Sequence, residues 1–188
     1  MEITRKCHAK TRKQWRAWLE KHHSTKKEIW LVYYKKHAGK PSVPYNDAVE
    51  EALCFGWIDS TVKTIDKDSY AQRFTPRNAK SVWSEPNKER VRLLIAKGLM
   101  TPAGLAKCTY HHAPHEEPEK ITVKKDVLAK LKADAETWKH FQSFDQRYKR
   151  IRIGWIEAVR EKPDIFRQRL DYFLKMTKKG KKYGMLER

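Results

Sequence analysis

The sequence predicts an α+β fold, with a small antiparallel or mixed sheet and packed helices in an N-terminal unit, followed by an all-helical C-terminal unit. Short runs rich in β-branched and aromatic residues, which are typical of strands, lie before residue 77. Beyond residue 124, apolar residues recur at three- and four-residue spacing, which is typical of helices with one buried face. We therefore expect an α+β unit at 1–110, a polar linker at 111–123, a helical unit at 124–177 and a basic tail at 178–188.

The first helix and the first strand are predicted from local pattern. Residues 11–23 place three large apolar side chains on one helical face, and Thr11 precedes them as a helix cap. Residues 28–36 are dense in β-branched and aromatic types and too short for a helix, so they are predicted to form a buried strand. The segment HAGKPSVP then ends the strand in a loop.

A second helix and a hairpin follow. Residues 45–55 are predicted to form a helix with its apolar residues on one face. Asn46 or Asp47 is the expected cap, and Gly56 ends the helix. The strand-like runs WIDSTVKTI and SYAQRFTP are joined by DKDS, whose residues favour a tight turn. Further on, Ser84 caps a helix that Gly98 ends, and residues 102–110 are expected to form another short helix.

Composition limits the classes of protein that the chain can belong to. A hydrophobic content of 39% excludes a disordered chain, although 42 basic residues against 23 acidic residues leave a net charge of +19. That charge would attract anions or acidic partners, but it is spread along the chain. Three distantly spaced cysteines and the lack of an apolar signal segment lead us to expect a cytoplasmic protein without membrane insertion.

Three stretches carry a resemblance to a known family. They are EALCFGWIDS, RFTPRNAKSVWSEPNKERVRLLIAKGLMTPAG and DAETWKHFQSFDQRYKRIRIGWIEAVREKP. Together they resemble the YdeI/OmpD-associated family of bacteriocin-protection-type proteins over about residues 12–175, with a departure at 109–122. The resemblance implies the fold and a stress or bacteriocin-protection role, but it supplies no catalytic residue, substrate or cofactor.

The polar segments after the hairpin suggest an anion site. Arg73 and Arg77 flank an extended Thr-Pro step, and guanidinium groups bind planar oxyanions with two hydrogen bonds. The start of the following helix adds free N–H groups that favour anions. In the alternative interpretation Ser84 only caps the helix and the arginines pair with Asp59 and Asp66. The candidate ligand-binding residues are Trp57, Asp59, Arg73, Arg77, Ser81, Trp83, Ser84 and Asn87.

Asp59 supports a second hypothesis. In a strand, Trp57 and Asp59 share one face, where Asp59 could pair with Arg73 or Arg77. A small-molecule enzyme could use Asp59 as a general base beside the arginines, but a carboxylate without a partnered histidine or nucleophile favours a structural ion pair. We therefore lean against an enzyme and expect no cofactor.

The sequence offers two further classes of site. The segment CTYHHAPHE carries zinc-type ligand atoms on Cys108, His111 and His115, but Pro114 and Pro118 prevent a regular helix that would aim them together. A polar linker is the favoured interpretation. The run QRYKRIRIGW interleaves basic and aromatic residues, which suggests non-specific nucleic-acid binding, but its aromatic residues lie at the spacing of a helix core.

Overall fold

The computed structural model describes residues 2–108 and 121–184. These residues divide into two units, of which the first takes in 2–82 and 90–108 and the second 83–89 and 121–184. The first contains a sheet with helices and the second contains helices alone, so the predicted α+β class is confirmed. Among the helices of the described ranges, none combines the length and the apolar content that a membrane span requires.

One mixed sheet forms the centre of the first unit. Its strands are β1 (Lys6–Cys7), β2 (Ile29–Tyr34), β3 (Trp57–Thr64) and β4 (Ser69–Pro76), in the order β1-β2-β4-β3. β4 runs antiparallel to both β2 and β3, and β1 runs parallel to β2. The predicted strand and hairpin are therefore confirmed. β1 is not predicted from the sequence, because two residues are too few to show a periodic pattern.

The hairpin turn forms as its sequence predicts. The Oδ1 atom of Asp66 accepts hydrogen bonds from the backbone N–H groups of Asp68 at 2.8 Å and Ser69 at 2.7 Å. These hydrogen bonds stabilise the ionised carboxylate and lower the pKa of Asp66. The aspartate thus replaces backbone acceptors in a turn, which is why this residue type marks such positions.

Four helices begin in the first part of the chain. They are α1 (Arg12–His22), α2 (Tyr45–Cys54), α3 (Glu85–Ala96) and α4 (Pro102–Leu105). Thr11 caps α1 as predicted. The prediction that Asn46 or Asp47 caps α2 is wrong, because α2 already begins at Tyr45 and Pro44 occupies the cap position without a side-chain hydrogen bond. Proline at this place sets the backbone direction and needs no donor.

Apolar side chains pack on both faces of the sheet. On one face, Trp15 of α1 contacts the ring of Phe74 at 5.3 Å between centroids and donates a hydrogen bond from Nε1 to the Ala48 carbonyl of α2. This packing fixes α1 and α2 on that face. On the other face, Trp30 and Val32 pack with smaller side chains in a separate cluster. β2 is therefore buried on both sides, as its continuous apolar sequence predicts.

The second unit contains four helices after residue 124: α5 (Lys125–Lys132), α6 (Ala135–Ser143), α7 (Gln146–Glu157) and α8 (Pro163–Lys178). Asp134 caps α6 and Asp145 caps α7, each by accepting a backbone N–H three residues later. The apolar stripes of these helices meet in one core. Its buried members are Val127, Leu131, Phe141, Phe144, Tyr148, Ile153, Ile156, Leu170 and Phe173.

Candidate functional site

A polar cluster surrounds Asp59 on the face of the sheet that α1 and α2 cover. The Tyr45 hydroxyl of α2 donates a hydrogen bond to Asp59 Oδ2 at 2.9 Å, and Gln72 Nε2 of β4 donates to the same oxygen at 2.6 Å. Both hydrogen bonds end on Oδ2. Within the described ranges, Oδ1 receives none, so this oxygen retains its capacity to accept from a ligand.

Two further tyrosines complete this cluster, which we call the Asp59 cluster: Tyr33, Tyr45, Asp59, Tyr70 and Gln72. Tyr33 and Tyr70 lie opposite each other on β2 and β4, and their rings stack with centroids 5.2 Å apart. The Tyr33 hydroxyl is buried and has no hydrogen-bond partner among the residues that the structure describes. A buried hydroxyl of this kind is uncommon in proteins and calls for an explanation such as a bound ligand or water.

Burial and the Asp59 carboxylate raise the pKa values of two tyrosines of the cluster. Burial, followed by the nearby Asp59 carboxylate, raises the pKa of Tyr45 to about 12. Burial raises the pKa of Tyr33 further, and Tyr70, Asp59 and Tyr45 add to this effect. Both phenols therefore keep their protons at neutral pH, and each can donate a hydrogen bond.

A β-bulge in β3 determines which side chains share a face of the sheet with Asp59. Near the turn, Thr64 pairs with Tyr70 and Val62 with Gln72, and continuing this register would set Asp59 opposite Thr75. The register shifts by one residue between Asp59 and Val62, so Asp59 lies opposite Phe74 instead. Because neighbouring strand residues point to opposite faces, this single shift places Asp59 on the face of Gln72.

The prediction that Asp59 pairs with Arg73 is therefore wrong. Arg73 follows Gln72 in β4 and points to the opposite face, where its Nε atom donates to Glu28 Oε2 at 2.6 Å. The same contact lowers the pKa of Glu28, after a larger contribution from a hydrogen bond with Thr4. Glu28 thus neutralises one of the two guanidinium groups that the predicted anion site requires.

Arg77 is buried in the loop that follows β4. Its Nη2 atom donates a hydrogen bond to the Val82 carbonyl at 2.9 Å, and its backbone N–H donates to the Gly56 carbonyl at 2.8 Å. Ser81 lies half-buried in the same loop, and its backbone N–H donates a hydrogen bond to the Asn78 carbonyl. These contacts show that Arg77 organises the chain between β4 and α3.

Three other predicted site residues belong to the second unit. Trp83 is buried, Ser84 is exposed and Asn87 is half-buried. The backbone N–H of Asn87 donates to the Ser84 carbonyl at 3.0 Å, so Ser84 stands directly before α3, as predicted.

Trp57 belongs to the core and does not form the wall of an open site. It is fully buried, its Nε1 donates to the His23 carbonyl at 3.1 Å, and its ring meets Trp18 edge-on. Gly56 before it has a φ of +72°, and a Cβ atom there would come within 2.9 Å of the Ala103 carbonyl oxygen. Only glycine therefore fits the step from α2 into β3.

A buried ion-pair cluster joins α1 to α2. Glu51 accepts from Arg12 Nε at 2.5 Å and from Arg16 Nη1 at 2.7 Å, and its side chain is only 3% exposed. Cys54 lies one helical turn further on, and burial raises its pKa to about 11. This thiol is protonated at neutral pH and is not poised as a nucleophile. Sequence reasoning missed Glu51, because its partners lie about 35 residues away along the chain.

The described residues offer no metal centre. No group of three or more histidine, cysteine, aspartate or glutamate side chains within 2–108 and 121–184 could hold an ion. Cys108 donates from Sγ to the Gly104 carbonyl at 3.4 Å, whereas His111 and His115 lie outside the described residues.

Comparison with known families agrees with this architecture. Residues 7–107 match the model of a domain of unknown function, DUF8412, and since this match covers more than half of the chain, the protein belongs to that family. Residues 120–180 match the family described as Bacteriocin-protection, YdeI or OmpD-Associated. This second match confirms the resemblance to YdeI/OmpD-associated, bacteriocin-protection-type proteins over the C-terminal part of the chain. Searches of curated proteins and of solved structures found no significant match.

Proposed function

We propose that this bacteriocin-protection-type protein acts by binding a small polar ligand at the Asp59 cluster. The observation that supports the proposal is that one cluster contains both a buried Tyr33 hydroxyl without a partner in the described ranges and an Asp59 carboxylate with a free acceptor oxygen. Leaving a buried hydroxyl unpaired costs about 1–3 kcal/mol. A ligand that forms hydrogen bonds with both groups would offset that cost.

The chemistry of the cluster selects a ligand that donates hydrogen bonds. Asp59 is an acceptor, and its negative charge repels an anion placed beside it. Tyr33 can donate or accept. A polyol, an amide or an amine would fit these groups, and an amine would also gain from the charge of Asp59.

This proposal differs from the anionic ligand that the sequence suggests. Arg73 pairs with Glu28, so the anion-site hypothesis now depends on Arg77 and the Ser81–Asn87 segment. It stays a prediction. An enzyme that uses Asp59 together with Arg73 is disfavoured, because the two side chains point to opposite faces. Non-specific nucleic-acid binding also stays a prediction, with steep salt dependence as its test. A cytoplasmic location is likewise an expectation.

The proposal is tested by titrating the ¹⁵N-labelled full chain with four probes: myo-inositol, uridine, spermidine and inorganic phosphate. We expect one of the first three to shift resonances of β2–β4, with Asp59→Asn weakening that binding at least tenfold. Asp171→Asn, on an exposed face of α8, is the matched control and should bind normally. Binding of phosphate alone, or equal binding by Asp59→Asn, would refute the proposal.

Tyr33→Phe separates function from stability. Because it removes an unsatisfied buried hydroxyl, we expect it to leave the melting temperature of the ligand-free protein unchanged or raise it. The same variant should weaken probe binding. A variant that is destabilised and binds as well as the original protein would show that the Tyr33 hydroxyl serves the fold alone.

A further inference from the structure

The second unit contains an open cavity of about 460 Å³ that the site described above does not use. This volume lies within the range of about 300–1,000 Å³ that is usual for small-molecule sites. Most of its lining is apolar, and a few polar groups from α6 and α7 reach it, including the side chain of Lys149. The apolar residues that line it are Ile121, Val123, Leu128, Trp138 and Phe141.

Lys149 is the unusual member of this cavity. Only 7% of the residue is exposed, and its ammonium group donates to the Gln142 carbonyl at 2.8 Å. The ammonium also lies 5.2 Å from the centroid of the Phe141 ring. One hydrogen bond uses one of its three donors, so two N–H groups stay available.

Lys149 has no carboxylate partner within the described part of the chain. Other cations of the same unit do, as Arg160 shows with Glu157 and Asp126, and Lys178 with Asp134. Burying an ammonium without a direct anionic partner is costly, and here burial lowers the pKa of Lys149, while the more distant Asp145 carboxylate, which pairs with Lys182, raises it by less. A bound anion would remove that cost.

We propose that this cavity binds an amphipathic monocarboxylate, such as an arylalkyl carboxylic acid. The carboxylate would accept hydrogen bonds from Lys149 Nζ, and the apolar body would lie against Trp138, Phe141 and Leu128. Charge complementarity favours an anion, since Lys149 is the one charged residue of the lining, beside the neutral side chains of Gln142 and Gln146. Burial of the apolar body adds affinity in proportion to the apolar area removed from water, against the cost of association.

The proposal is tested by calorimetric titration of the full chain with 4-phenylbutyrate, 4-phenylbutanol and 4-phenylbutylamine. We expect the acid to bind at least tenfold more tightly than the alcohol, and the amine to show no binding. Lys149→Met should weaken binding of the acid at least tenfold, and Lys149→Arg should keep part of it. Lys139→Met, on the exposed side of α6, is the matched control and should bind the acid normally.

Several outcomes would overturn the proposal. They are equal affinity for acid and alcohol, unchanged binding by Lys149→Met, or no binding of the acid at millimolar concentration. Loss of the fold does not explain weak binding by Lys149→Met if the melting temperature is unchanged or higher, as expected when an unpaired buried charge is removed. Asp59→Asn should leave binding of 4-phenylbutyrate unchanged, so the proposals for this cavity and for the Asp59 cluster are tested independently.

Discussion

The buried carboxylate of Glu51 allows a quantitative test of how α1 is held on α2. Glu51→Gln keeps the shape of the side chain and removes only its charge. Breaking a fully buried ion pair by removing one partner costs about 3–5 kcal/mol. Here the carboxylate is buried, but the side chains of Arg12 and Arg16 are 34% and 30% exposed, so water screens part of the loss. Glutamine can also still accept from one arginine. We therefore expect the free energy of unfolding to fall by about 2 kcal/mol.

Glu20→Gln is the matched control. Glu20 also pairs with Arg16, at 3.3 Å, but its side chain is 56% exposed. Exposed i,i+4 pairs on helices contribute only about 0.3–0.5 kcal/mol, so this variant should be nearly as stable as the original protein. Both variants would be unfolded in urea and followed by tryptophan fluorescence, since Trp15 and Trp18 lie on the same helix. Equal losses in the two variants, or a loss below 0.5 kcal/mol for Glu51→Gln, would refute the reasoning.

Two further predictions concern packing and alkaline pH. At Gly104, a Cβ atom would lie 2.1 Å from the Cys54 carbonyl oxygen, so Gly104→Ala should cost about 1–3 kcal/mol in urea unfolding, whereas Ala106→Ser, exposed at the end of the same helix, should cost little. Equal stability of the two variants would show that α4 can move away. The fold raises the pKa of Tyr45, so it favours the protonated phenol. This contribution to stability is complete below the ordinary pKa of 10.0 and is lost as the pH rises through about 12. Unfolding free energies at pH 9 and pH 11.5 should therefore differ less in Tyr45→Phe than in the original protein, and an identical difference would contradict this assignment.

Much of the fold could be predicted because its signals are local. The cap at Thr11, the turn chemistry around Asp66 and the stop at Gly56 each act within a few residues, so the sequence shows them directly. β1 escaped prediction, because its two residues form a strand only by pairing with β2. The cap position of Pro44 was not predicted either, because the polar residues expected to cap α2 lie inside the helix.

The candidate site was only partly predictable. Asp59 was identified from its position after an apolar run, but its partners Tyr45 and Gln72 come from two other elements, and Tyr33 comes from a third. A hydroxyl that lacks a partner can be recognised only when all its neighbours are known. The same holds for Lys149, which the sequence presents as one of several basic residues in a helical run.

By itself the sequence determined the helices and the three longer strands in their order, the resemblance to YdeI/OmpD-associated proteins and the presence of Asp59 in the first strand of the hairpin, because periodicity, turn residues and motifs are properties of neighbouring residues. Only the tertiary structure decided which face Asp59 occupies. A hairpin without a bulge would have turned Asp59 toward the face of Arg73, as the sequence suggested. One extra residue between Asp59 and Val62 reverses the alternation and turns the carboxylate toward Gln72 and the tyrosines.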